Sequence, residues 1–181
     1  MGVTIHYRLG IEDQYVEKVL DLAQGVAELM KENSKYVGIP MEVYRYSKTK
    51  MSVDIGGCET LIFDFKFFKE YEAEAQKDNF VYDYEVLKEN PLKTADQLKF
   101  TAGFCKTQYG SGDQHKAVAE IIRVVASHCY FAEVSDEGDY YYTGRIEDAE
   151  SAINYVNDMI IDVNNNLKTA GFSDDQIIKQ S

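Results

Sequence analysis

Six residues in two short stretches are of types that do chemistry. Lys106, Thr107 and Gln108 close a strand-like run, and His115 follows in the first turn of the next segment. Cys58 and Glu59 stand just after the flexible pair Gly56-Gly57. An imidazole titrates near neutrality, which suits His115 to general acid/base work. Lys106 would bind or stabilise negative charge, and Glu59 would orient His115 or hold a metal. Thr107, Gln108 and Cys58 would line a ligand. A thiol beside a carboxylate could also serve as nucleophile and base. The plainer alternatives are that strand-end polar groups reach water and that Cys58 packs as a small apolar side chain.

These residues depend on the elements that carry them. Leu98, Phe100, Ala102 and Phe104 alternate as the apolar face of a strand, which puts Lys106 and Gln108 on that same face. Ser111 with Gln114 three residues later has the capping-box pattern, so a helix starts there. Its first turn offers unpaired N–H groups that suit an anion. Val118, Ile121, Ile122, Val125 and Cys129 form the helix's apolar stripe, with His115 at its edge.

The rest of the chain reads in the same way. Val3, Ile5 and Tyr7 alternate with polar neighbours as a strand, and Val16, Val19, Leu20, Ala23, Val26, Ala27 and Met30 mark a helix. Residues 41–47, 51–55 and 61–67 read as three strands in antiparallel hairpins. Residues 69–97 form an irregular acidic, Tyr-rich excursion. Strands at 130–134 and 139–143 flank the turn-like Ser135-Asp136-Glu137-Gly138, and Ala149 to Leu167 make the longest helix. The order is β-α-β-β-β, excursion, β-α-β-β-α. It predicts one α+β domain over 1–181, a largely antiparallel sheet with about three amphipathic helices packed mainly on one face.

Composition excludes several classes of function. The chain has 181 residues and a net charge of −12, from 31 acidic against 19 basic side chains. Such a surface repels phosphate backbones and anionic lipid, so nucleic acid and membrane are not expected partners. Three cysteines without close spacing argue against a disulfide framework or a CxxC site. With no signal-like start and no apolar run of membrane-spanning length, the sequence predicts a cytoplasmic protein. His6, His115 and His128 lack metal-ligand spacing, and no HExxH, Walker A, GxSxG or GxGxxG motif is present. Asp136, Glu137 and Asp139 read as a solvated turn whose spacing does not fit an EF-hand. No cofactor or metal is identifiable from these residues.

The blocks Gly2-Val3-Thr4-Ile5-His6-Tyr7-Arg8, Gly57-Cys58-Glu59, Lys106-Thr107-Gln108 and Asp136-Glu137-Gly138-x-Tyr140-x-x-Thr143-Gly144 together resemble an uncharacterised family of prokaryotic proteins. The resemblance covers scattered blocks at both ends and in the middle, and the excursion at 69–97 departs from it. It implies a bacterial or archaeal cytosolic protein and no defined activity.

Two functions compete on these grounds. One is a small-molecule- or anion-binding, hydrolase-like domain with its polar site at the 106–115 junction. The other is a non-enzymatic interaction or oligomerisation module. Its acidic surface is rich in the chain's 14 tyrosines, with Tyr140-Tyr141-Tyr142 on one strand and Tyr71, Tyr82 and Tyr84 on a dimer or lid surface.

Overall fold

The alternation that marks the first strand extends further than Tyr7. Ile5, Tyr7, Leu9 and Ile11 are all buried on one side of β1 (Thr4–Glu12). The computed structural model of the chain describes residues 3–33, 38–67, 70, 97–169 and 173. The expected excursion at 69–97, apart from Glu70 and Gln97, lies outside the described residues, and with it Tyr71, Tyr82 and Tyr84.

Helix α1 (Asp13–Glu32) opens on Asp13, whose charge suits the positive end of the helix dipole, and buries the expected stripe from Val16 to Met30. Strands β2 (Met41–Arg45), β3 (Lys50–Ile55) and β4 (Leu61–Asp64) pair as antiparallel neighbours in that order. After Phe65 the chain changes sheets. Strand β5 (Lys66–Phe67) pairs with β6 (Leu98–Lys106), which continues through β1 to β7 (Phe131–Asp136). Among the described residues all pairings are antiparallel, so the fold is α+β with two antiparallel sheets.

The two sheets meet along residues 59–67 and β6, through side chains as well as backbone. The Glu59 N–H donates to the Lys106 carbonyl at 2.8 Å, and the Asp64 N–H donates to Thr101 Oγ1 at 3.0 Å. Between these, the Tyr7 hydroxyl donates to the Ile62 carbonyl. Burial pushes the Tyr7 phenol well above its ordinary pKa, so it is the neutral donor this bond needs. The ring reaches Ile62 by crossing Gly103, where a Cβ would stand 2.5 Å from Tyr7 Oη.

Helix α2 (Gly112–Ala126) carries both bonds of the expected capping box. Gln114 N–H donates to Ser111 Oγ at 3.3 Å, and Ser111 N–H to Gln114 Oε1 at 2.6 Å. Together with α1, it packs its apolar face on the inner side of both sheets. The last helix, α4 (Ile146–Thr169), buries Ala149, Ile153 and Val156 and packs the latter two around Val3. Among the described residues, no helix is long and apolar enough to cross a membrane.

Two expectations are corrected here. Leu98 and Phe100 are buried as expected, but the helix-facing side of β6 is Thr101, Gly103 and Cys105, opposite Leu9, Tyr7 and Ile5 of β1, and not the side that carries Leu98, Phe100, Ala102 and Phe104. The large side chains of β1 fill that space, so β6 contributes small ones. Phe104 lies on the far side, 45% exposed, with its ring 6.0 Å from that of His6.

The strand expected at 139–143 is instead a helical turn, α3 (Tyr140–Thr143), so there is no terminal hairpin and the three tyrosines share no strand. The Asp136 carboxylate accepts the N–H groups of Gly138 and Tyr141, each at 2.7 Å, and curls the chain. Asp139 takes a left-handed conformation within that curl, at φ 58°.

Candidate functional site

Correcting the face of β6 separates the candidate residues. Strand alternation sends Lys106 and Thr107 to opposite sides of the sheet. Lys106 pairs with Thr4 on the outer side, and its Nζ lies 3.7 Å from Glu59 Oε1. Its own N–H reaches Glu59 Oε2 at 3.4 Å. Both side chains of this ion pair are more than two-fifths exposed, so solvent screens it and it adds little stability. Thr107 instead points inward, beneath α2.

There it meets His115. Thr107 Oγ1 lies 2.7 Å from His115 Nδ1, and both residues are fully buried. The other ring nitrogen, Nε2, lies 3.1 Å from both carboxylate oxygens of Asp136, the last residue of β7. His115 is thus oriented by Asp136, while Glu59 pairs with Lys106. Although it stands at the edge of the stripe by spacing, the ring is fully buried.

The protonation pattern follows from these neighbours. Burial alone would raise the pKa of Asp136. The hydrogen bond from His115, the charge of that ring, and the N–H groups of Tyr141 and Gly138 outweigh burial and hold the carboxyl below its ordinary range. An ionised carboxylate only accepts, so Nε2 must carry a proton. In the neutral ring, Nδ1 then presents a lone pair to the Thr107 hydroxyl. The sequence is hydroxyl, imidazole, carboxylate, the order of nucleophile, base and orienting group.

Three elements cover this relay. Gly138 lies on the ring, where a Cβ would stand 2.7 Å from His115 Cε1. The Tyr140 ring meets His115 edge-on at 6.4 Å, and the Tyr140 hydroxyl donates to Glu120 Oε1 at 2.9 Å. On the remaining side, the Thr107 N–H donates to the Val3 carbonyl at 2.8 Å, with the Thr107 hydroxyl 3.2 Å from the same oxygen.

The Gly56–Glu59 turn packs against the loop between β6 and α2. Gly57, at φ 83°, approaches Gln114, Gly110 and Tyr109 too closely to carry a side chain without displacing them. Cys58 Sγ lies beside Gly110 in the same packing. Burial, with the Asp54 carboxylate adding to it, pushes the Cys58 thiol up to about 12. At neutral pH it is therefore an S–H and not the thiolate that attacks. Cys105 donates its S–H to the Glu59 carbonyl at 2.9 Å.

Gln108 is 6% exposed, and its Oε1 is buried without a hydrogen-bond partner. The first turn of α2 is less open than its sequence suggested. The Glu150 stem from α4 lies over Gly112, and the capping box takes two of the end groups. Among the described residues, no group of three or more His, Cys, Asp or Glu stands together to hold a metal.

Asp136 is the partner that sequence reasoning passed over, because a carboxylate in an Asp-Glu-Gly turn reads as solvated. Its signal was the alternation of β7, which puts Asp136 on the inward side with Val134. No protein-family model matches the chain, and no curated protein or solved structure matches it.

Proposed function

We propose that this chain is a small-molecule-binding, hydrolase-like domain whose site is the junction of β6 and α2. The observation that carries this reading is the Thr107–His115–Asp136 relay, with its 2.7 Å and 3.1 Å links. His115 would act as general base, drawing the Thr107 proton onto Nδ1 while Asp136 stabilises the resulting imidazolium. Gln108 would accept a hydrogen bond from the substrate, since a buried unpaired acceptor costs about 1–3 kcal/mol until a donor meets it. Lys106 and Glu59 would form a charged rim on the outer side, with Cys58 as an apolar contact. A substrate reaches Thr107 after the Gly138–Tyr141 segment moves off the ring, so opening would belong to the catalytic cycle. A cytoplasmic, prokaryotic setting suits the acidic chain and its neutral thiols.

The test is hydrolysis of p-nitrophenyl acetate and p-nitrophenyl phosphate by the parent protein and by T107V and H115N. The expected result is turnover of one ester by the parent, reduced about 100-fold or more in both variants while their circular dichroism is retained. Absence of turnover by the parent, or equal turnover by folded T107V, would overturn the reading.

A second reading, the interaction module, is favoured by a different observation. Tyr44, Tyr46, Ile62 and Phe104 are exposed large side chains on the outer side of the two sheets. A polar-tipped apolar surface of this kind suits a protein partner or a second copy.

A further inference from the structure

We infer that the Thr107 hydroxyl is a two-position switch that couples the charge of His115 to the anchoring of the first strand. The inference uses only the hydrogen-bond geometry around the ring. It shares with the hydrolase-like reading the Nδ1 lone pair turned to Thr107 but needs no substrate, so it can hold where no ester is turned over.

A threonine hydroxyl has one proton to give and two lone pairs to accept with. Thr107 Oγ1 has two neighbours that compete for that proton, His115 Nδ1 at 2.7 Å and the Val3 carbonyl at 3.2 Å. While the ring is neutral, Asp136 fixes the proton on Nε2. Nδ1 is then a bare acceptor, and the hydroxyl donates to it. The Val3 carbonyl then accepts from the Thr107 N–H, at 2.8 Å, and not from the hydroxyl.

Protonation of the ring reverses this. Nδ1–H becomes a donor to Oγ1, and the hydroxyl proton is free to turn to the Val3 carbonyl. That carbonyl then accepts two hydrogen bonds from one residue. Every buried donor and acceptor of the cluster is paired in both states, so neither state carries the cost of an orphaned polar group. The move is a rotation about one bond and displaces no backbone.

The charged and titratable groups around the ring come from β7, α2, α3 and α4. Asp136 faces it from the end of β7, and the Tyr140 ring faces it edge-on from α3. Glu120, further along α2, is engaged by the Tyr140 hydroxyl and by Arg123. Glu137 accepts the Thr4 N–H at 2.9 Å, and Glu150 of α4 lies over Gly112. The second bond to Val3 thus acts beside the Thr4–Glu137 pair, at the point where β1 begins.

The experiment is a pH titration by nuclear magnetic resonance of the full chain, following the His115 ring nitrogens and the Val3 carbonyl carbon. The parent and T107S are expected to show both signals moving in one common transition. In T107V, the ring is expected to titrate while the Val3 movement is lost; if T107V does not fold, T107A takes its place. A Val3 carbon that stays still while the ring of the parent titrates would overturn the inference. So would a Val3 movement undiminished without the hydroxyl, or a ring that keeps one charge state wherever the protein is folded.

Discussion

At the scale of single residues, Asp136 determines the state of its neighbours. One carboxylate oxygen takes the Gly138 N–H and the other takes the Tyr141 N–H, while both face His115 Nε2. An amide has one oxygen, so Asp136→Asn turns an NH₂ group toward a backbone N–H that needs an acceptor. Urea denaturation at pH 7 is expected to show D136N less stable by about 3 kcal/mol, the scale for losing hydrogen bonds to a buried charged group and leaving a buried donor unpaired. The parent's pH dependence has a definite sign. Its folded-state pKa at Asp136 is depressed, so below about pH 4 the unfolded chain binds the proton first and stability falls with pH through the folded value. D136N should lack that part of the acid loss. A variant as stable as the parent at pH 7, with an unchanged acid limb, would contradict this account of Asp136.

At the scale of elements, the seam between the sheets rests on one small residue. Gly103 lets the Tyr7 ring cross β6 to the Ile62 carbonyl. Gly103→Ala places a methyl group 2.5 Å from the Tyr7 oxygen, in a core where the ring cannot withdraw. A loss of about 1–3 kcal/mol is expected, read as a lower denaturation midpoint. Replacing Tyr7 by Phe in the same background should recover part of it, because the clashing oxygen is gone.

The same seam explains what the sequence could and could not convey. Helices α1 and α2, the capping box at Ser111, the start of β1 and the hairpins of β2, β3 and β4 follow from local spacing and stand where spacing put them, except that the strand expected over 61–67 divides at Phe65 between the two sheets. The inner face of β6 did not follow. Alternation ranks Phe100 and Phe104 alike as core, yet only Phe100 is buried, and the helix-facing side was chosen by the bulk of Ile5, Tyr7 and Leu9 on the neighbouring strand. Likewise, Tyr140 to Tyr142 have β-strand composition. They curl because a carboxylate four residues before Tyr140 gathers the N–H groups of Gly138 and Tyr141.

At the scale of the molecule, the candidate residues fall on two sides of one sheet. Thr107 and His115 meet inside, where β6, β7, α2 and the start of β1 converge, while Lys106 and Glu59 meet outside. His115 and Thr107 were legible as candidates because they lie near a strand-to-helix junction. Their partner Asp136 was not, since 21 residues and a whole helix separate it from His115. The account rests on His115 turning a lone pair toward Thr107, for without it the ring is no base for that hydroxyl. The most direct test is the tautomer of the neutral His115 ring in the folded chain, read from the chemical shifts and proton couplings of its two nitrogens. The account predicts a proton on Nε2 and none on Nδ1. A proton on Nδ1, with Nε2 bare against Asp136, would contradict it.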